Sequence, residues 1–203
     1  MRILPIFLFL GLIIHSYTGF TQARYGVNAG IGISTLSEPD LPSSNFYDAA
    51  PSIMAGLFGA HELSHNLALH AELNYERRGA DYNFATSDFT IRFNYISLPL
   101  QLQYTVKDLI GIRLGPQLNY ALSKSSDGLG DFELDNYDDF DIGINLGVSY
   151  NIFERWALSA RYYHGLRPLT EILLLDENDP AFDFDTGYAR NRHCLFGIQY
   201  YIH

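Results

Sequence analysis

From Phe140 to Ile152 the chain alternates without a slip. Phe140, Ile142, Ile144, Leu146, Val148, Tyr150 and Ile152 fall on one side, and Asp141, Gly143, Asn145, Gly147, Ser149 and Asn151 on the other. A period of two held this long fits a β-strand with one apolar and one polar face, and does not fit a helix. The stretch from Ile110 to Ser123 repeats the pattern, and so does Tyr25 to Ser34. Eight such strands are predicted, over residues 24–35, 51–62, 67–79, 89–105, 110–123, 140–152, 156–167 and 190–203. The connections alternate in length: 63–66, 106–109 and 153–155 read as tight turns, and 36–50, 80–88, 124–139 and 168–189 as longer polar loops. An even number of antiparallel strands, short turns on one rim and long loops on the other, predicts an all-β fold: an eight-stranded up-and-down transmembrane β-barrel. Every segment supplies the roughly 9–11 residues that a tilted strand needs to cross a membrane. After residue 23 no window holds about 18 consecutive apolar residues, so no helical span is predicted.

The first 23 residues read differently. Arg2 is their only charge, Ile3 to Ile14 is apolar except for Pro5 and Gly11, and Thr21-Gln22-Ala23 puts small residues at the −3 and −1 positions of a cut. This is the order of a secretory signal peptide, and the apolar run is too short for a span. The expected domains are therefore a signal peptide over 1–23 and a barrel over 24–203, with the mature chain starting near Arg24. An N-terminal helix anchor is the other reading of the segment, and with no cysteine near the cut a lipid anchor there is not expected.

Two strand features are irregular. In the fourth strand, Phe89, Ile91, Phe93 and Tyr95 alternate in one phase, and Ile96, Leu98, Leu100, Leu102 and Tyr104 in the other, which suggests a bulge near Tyr95–Ile96. Pro99 and Pro116 interrupt strands that a closed barrel has to pair on both sides, so local distortion is expected. In the second strand Ile53, Ala55, Leu57 and Met54, Gly56, Phe58 are nearly equally apolar, leaving its facing open.

Periodicity alone does not separate a membrane barrel from a soluble lipocalin-like one, because the two differ only in which face is inside. The polar faces here are rich in Gly, Asn, Ser and Gln and poor in Lys, whereas a water-facing surface carries more charge. Glu72, Glu76 and Arg78 share one face of the third strand, and Arg113 and Arg161 lie on polar faces of the fifth and seventh. Opposite charges enclosed in a small lumen are expected to pair. Tyr25, Tyr75, Tyr95, Tyr104, Tyr120, Tyr150, Trp156, Tyr200 and Tyr201 lie near strand ends, where a bilayer's two interfaces favour aromatic rings. The last strand is expected to run to the end at His203, without a lipocalin's closing helix.

Tyr25-Gly26-Val27-Asn28-Ala29-Gly30, Tyr75-Glu76-Arg77-Arg78-Gly79, Gly115-Pro116, Gly197-Ile198-Gln199-Tyr200-Tyr201 and above all Tyr95-Ile96-Ser97-Leu98-Pro99-Leu100-Gln101-Leu102-Gln103-Tyr104 resemble the PorT-like outer-membrane β-barrels of Bacteroidota. The resemblance spans essentially the mature chain. It implies a barrel in the outer membrane, no shared catalytic residues, and a possible link to protein secretion through the family's namesake.

Catalytic chemistry has little to stand on. No Gly-x-Ser-x-Gly elbow occurs, and none of His61, His65, His70, His164 and His193 adjoins a serine in a recognisable motif. His70 and Glu72 on one strand face read as a polar pair of the lumen, His61 and His65 as turn residues, and Cys194 as a small apolar side chain facing lipid. No catalytic, cofactor or metal residue is assigned, and the expected role is a non-enzymatic envelope scaffold or binding protein. The alternatives are a lipid-modifying outer-membrane enzyme, a soluble ligand-binding barrel, and a passive pore, the last disfavoured by the small bore of eight strands. With 13 basic against 23 acidic residues no nucleic-acid partner is expected. Residues 127–141 and 171–185 hold thirteen of the acids, an oxygen-rich composition open to divalent cations but without an EF-hand spacing. The interleaved Phe132, Leu134, Tyr137, Phe182, Phe184 and Tyr188 would pack these loops together or meet a partner. Outer-membrane lipid, lipopolysaccharide and other envelope or secretion proteins are the expected partners.

Overall fold

The computed structural model describes residues 23–37, 47–84, 87–127, 134, 136–175 and 184–202. Nine strands form in chain order: β1 (Ala23–Ser37), β2 (Tyr47–Ser64), β3 (Leu67–Phe84), β4 (Ser87–Val106), β5 (Ile110–Asp127), β6 (Phe140–Phe153), β7 (Trp156–Gly165), β8 (Thr170–Leu175) and β9 (Phe184–Tyr201). Each of β1 to β7 pairs antiparallel with the next, β7 pairs with β9, and β9 closes on β1 from Gly26↔Tyr201 to Ser37↔Arg190. The result is a closed eight-stranded antiparallel barrel. Among the described residues no helix is long and apolar enough to cross a membrane.

Alternation sorts the faces. Ile31, Leu57, Leu73, Leu102, Leu114, Leu146, Leu158 and Phe196 point out and are exposed, while Asn28, Asn74, Gln101, Gln117, Asn145 and Gln199 point in and are buried. Ile31 is 71% exposed and Gln117 0%. A lipocalin-like barrel would show the reverse, so that alternative is overturned. The open facing of the second strand is settled too: Ile53 and Leu57 face out, Met54 and Phe58 in.

The expected bulge exists but belongs to the neighbouring strand. Asn94 pairs with Ser123 and Tyr95 with Ala121, so Leu122 of β5 is the extra residue. β4 itself never changes phase: Ile91, Phe93, Tyr95, Ser97 and Gln101 all point inward. What changes is the lumen, apolar at its long-loop end and polar below. Tyr95 is therefore a buried lumen residue and no interface aromatic. Tyr201, edge-on to the inward Phe58 at 5.1 Å, is not one either.

Two expected loops are largely strand. The connection at 80–88 is a continued hairpin, paired as far as Phe84↔Ser87. Within 168–189, β9 runs on past the barrel and pairs with β8 from Thr170↔Ala189 to Leu175↔Phe184. Pairing to β9 stops at His164↔Arg192 and resumes at Thr170↔Ala189, with residues 165–169 between on one side and only 190–191 on the other. The surplus makes a kink that tucks Leu169, 1% exposed, into the mouth of the barrel.

The prolines act as anticipated. Lacking an N–H, Pro99 leaves the β3–β4 ladder unpaired between Ala71↔Leu100 and Asn74↔Ser97. Pro116 faces a gap in the β4–β5 ladder between Pro99↔Gln117 and Leu102↔Leu114. Neither gap shifts the register.

Candidate functional site

Two polar clusters fill the lumen. In the first, Glu72 of β3 is the hub. Its carboxylate accepts hydrogen bonds from Asn28 (2.8 Å) and Asn74 (2.8 Å), and from both terminal nitrogens of Arg161 (2.7 and 3.2 Å). Arg113 reaches the same carboxylate at 3.2 Å and donates to Gln199 Oε1 at 2.9 Å. His70 stacks on Phe58 with ring centres 5.4 Å apart, its Nδ1 lying 3.5 Å from Glu72.

The second cluster surrounds Arg78, whose guanidinium is held between the rings of Tyr95 (5.2 Å) and Tyr163 (4.8 Å). It donates to Glu76 through Nε (2.7 Å) and also Nη2, and to Asn119 at 3.0 Å. Asp141 accepts from Asn191 (2.9 Å) and Asn119 (3.2 Å). His193 stacks on Tyr163 at 5.2 Å. Gln101, Asn145 and Gln117 form a hydrogen-bonded chain that leads to Glu76 and Asn119. The expected pairing of enclosed charges is met in full: Glu72, Glu76 and Asp141 balance Arg78, Arg113 and Arg161, all buried. The first cluster carries one cation in excess and the second one anion.

Above the second cluster the mouth is closed by Leu36, Ala80, Ile91, Phe93, Ala121, Leu134, Leu169 and Ala189, with Tyr47 and Tyr137 packed on them. Two of these come from connections. Leu134 is 3% exposed, and burying a leucine this fully stabilises by about 1.5–3 kcal/mol. Backbone bonds from Asp138 N to Leu169 O (2.8 Å) and from Ala121 N to Asp139 O (2.7 Å) tie the long connections to each other and to the barrel. Leu134 packs on the barrel's Ile91, Phe93 and Ala121, and Tyr137 on both apolar groups, while Phe132 and Phe182 lie outside the described residues, and with them the expected packing of 127–141 on 171–185. The opposite rim is open. A vestibule of about 960 Å³ there is lined by Arg24, Glu62, His65, Gln103, Asp108 and Arg155 among others.

A lumen filled with charged and polar side chains inside an apolar exterior is built for lipid on the outside. Residues 18–171 match the outer membrane protein beta-barrel domain. The chain belongs to this family. The barrel is similar to that of neisserial surface protein A, NspA, at a TM-score of 0.52 and 16% identity, over 88% of this chain and 98% of that one. Lesser similarities include Ail of Yersinia pestis (TM-score 0.46, 12% identity, 89% of this chain and 99% of that one) and OprG of Pseudomonas aeruginosa (0.45, 11%, 89% and 94%). No curated protein matches the chain. At these identities the likeness is one of fold, and with the family it makes this an outer-membrane barrel.

The exterior of this outer-membrane barrel carries two aromatic rows. Tyr25, Tyr104, Tyr150, Trp156 and Tyr200 lie at the short-turn rim, and Tyr75, Tyr120 and Phe140 at the long-loop rim. Just beyond the second row the outer face turns polar, with Tyr75 donating to Asn94 (2.8 Å) and Asn94 to Ser123 (2.8 Å).

The five histidines are not brought together. His70 and His193 occupy different lumen clusters, and neither hydrogen-bonds to a serine or cysteine. His61 and His65 lie at the short-turn rim and His164 on the outer face at the other. Cys194 is on the outer face, as expected. Asp141, counted with the acidic loop, is instead buried in the lumen. Of the remaining acids of 127–141, Asp127 pairs with Arg92 (2.6 Å), Asp138 with Arg167 (2.8 Å) and Asp139 with Lys124 (2.7 Å). Asp131, Glu133, Asp135, Asp176, Glu177, Asp179 and Asp183 lie outside the described residues, and with them most of the expected divalent-cation sites.

Proposed function

We propose that the protein is a non-enzymatic outer-membrane barrel that works as an envelope scaffold or binding platform through its long-loop rim. The PorT-like resemblance extends this reading to a role beside protein secretion. Cleavage of a signal peptide over residues 1–23 would leave the N-terminus in the periplasm, with β1 running outward and the long loops outside. Lipopolysaccharide, other envelope or secretion proteins, and divalent cations at the acidic loops are the partners of this reading.

The observation that carries it is the sealed lumen. An apolar plug stands over two ion-pair clusters among the described residues, which supports a role at the rims rather than through the middle. Long loops on a rigid barrel are where binding function is ordinarily carried. The test combines planar-bilayer recording of the reconstituted barrel with photo-crosslinking in cells from p-benzoylphenylalanine at Tyr188, beside the long loops, and at Tyr104, on the other rim. No steady conductance, together with discrete protein adducts from Tyr188 but not Tyr104, is the expected result. A stable open channel would replace the reading with a pore. An acyl group gained or lost on lipid A only in cells that make the protein would replace it with a lipid-modifying enzyme.

A further inference from the structure

Half of the basic side chains at the long-loop end are already spoken for: Arg92, Lys124 and Arg167 each pair with an aspartate, while the exposed Arg77 stands on a different strand. Arg190 and Arg192 differ. Among the described residues neither has an ion pair, and the Nε of each is buried without a hydrogen-bond partner. Both lie on the outer face of β9, alternating with the inward Asn191 and His193. Across the sheet Arg192 is the direct neighbour of His164 in β7 and of Thr35 in β1, and Arg190 that of Ser37. Along the same outer face, toward the short-turn rim, come Cys194, Phe196 and Ile198, flanked by Tyr162 and Ile33. Two guanidinium groups and an imidazole therefore stand at the line where the lipid-facing band ends. Direct cross-strand neighbours are about 5 Å apart and alternate residues of one strand about 7 Å. One phosphate group spans that triangle.

We infer that Arg190, Arg192 and His164 bind the phosphate of a phosphorylated outer-leaflet glycolipid, whose acyl chains lie on Phe196, Ile198 and Ile33. A phosphomonoester suits the place better than the phosphodiester of an ordinary phospholipid. It carries more charge and offers three free oxygens to planar, multi-donor guanidinium groups, which bind such oxyanions two bonds at a time. The position also fits, because the cations lie at headgroup depth with apolar wall directly beneath them. The inference rests on the proposed orientation, in which this rim meets the outer leaflet.

Native mass spectrometry of the full mature barrel tests it, in micelles doped with bis-phosphorylated lipid A, with its dephosphorylated counterpart, or with phosphatidylglycerol. The micelle has no leaflets, so failure here sinks the site, whereas failure of the orientation would appear only on cells. The phosphorylated lipid should be retained at least about tenfold more than either other lipid. The double variant R190Q/R192Q should lose that preference, and K107Q at the opposite rim should keep it. Millimolar inorganic phosphate should leave the lipid bound, since a free ion lacks the acyl contacts. Equal retention of the dephosphorylated lipid or of phosphatidylglycerol overturns the inference. So does undiminished preference in a double variant that still shows folded mobility on an unheated gel. Displacement by free phosphate would make this a site for soluble anions and also overturns it. If the double variant does not fold, the three-lipid comparison on the native barrel still decides.

Discussion

Replacing Glu72 by glutamine tests whether the lumen is held by charge balance or by packing alone. The native carboxylate takes hydrogen bonds from Asn28, Asn74, Arg113 and Arg161 and is the only anion in direct contact with either arginine among the described residues. Glutamine keeps the volume and one acceptor oxygen but removes the charge, leaving two guanidinium groups buried at 2% and 6% exposure. Removing one partner of a buried ion pair costs about 3–5 kcal/mol, and here two cations lose the same partner, so a loss near the upper end is expected. Against a whole-domain stability of about 5–15 kcal/mol this is a large fraction. Urea unfolding in phospholipid vesicles measures it, with the fluorescence of Trp156, the sole tryptophan, as one probe and unheated gel mobility as the other. The double variant E72Q/R161M returns the cluster to one unbalanced cation, as in the native barrel, and should recover at least half of the loss. If E72Q unfolds within about 1 kcal/mol of the native protein, or if adding R161M deepens the defect by the full cost of a second buried deletion, the hub argument is wrong.

Three further outcomes follow from the same geometry. Leu146→Arg, in the middle of the outward apolar band, should cost about 2–4 kcal/mol and block assembly, whereas Ser123→Arg, in the polar zone beyond the aromatic row, should cost about 0–1 kcal/mol; equal effects in a folding titration would mean the band is misplaced. Lys107 and Asp108 sit at φ 51° and 57° in the turn closed by Leu109 N to Val106 O, so K107N/D108G should stabilise by about 0.5–1 kcal/mol and Asp108→Val should destabilise, as read by the same unfolding midpoint. Protease added to intact cells should cut within 124–139 or 168–189 and spare 106–109 and 153–155, and calcium or magnesium should slow the cut if the acidic segments hold cations; cleavage at the short turns would invert the proposed orientation.

The parts of this barrel that were legible in the sequence are those where the two faces meet different media. From Phe140 to Ile152 one face meets lipid and the other a polar lumen, so alternation reports both strand and facing. At Ile91, Phe93 and Tyr95 the lumen itself is apolar, and hydrophobicity no longer tells inside from outside. This is why the fourth strand reads as if it changed phase. β9 fails in the opposite way: Arg190 and Arg192 point out and Asn191 and His193 point in, both faces are polar, and periodicity is silent on which polar residues complete the second cluster. For β8 a signal was present, since Ile172 to Leu175 is an unbroken apolar run inside an otherwise acidic stretch. Glu72, Glu76, Arg78, Arg113 and Arg161 were readable as lumen charges, but their division into two clusters depends on the pairing of β3 with strands far away in sequence.

That division bears on the whole molecule's charge. The lumen sums to zero, and the short-turn rim does too, with Arg24, Lys107 and Arg155 against Glu62, Asp108 and Glu154. Apart from Arg2, every remaining charge belongs, by its place in the sequence, to the long connections or the strand ends that flank them: seventeen acids against the six bases Arg77, Arg92, Lys124, Arg167, Arg190 and Arg192. The chain's net charge of −10 is therefore the property of one end. Screening confines such a field to about 8 Å at physiological ionic strength, so it acts on whatever lies against the rim and not on the bilayer at large. A phosphate-bearing surface at that distance is repelled unless cations stand between, and the chain's own cations there are few and half of them already paired. Arg190 and Arg192, alternate residues on one strand face with no ion pair among the described residues, are then a place on this end where the proposed anionic headgroup would meet attraction from two neighbouring guanidinium groups.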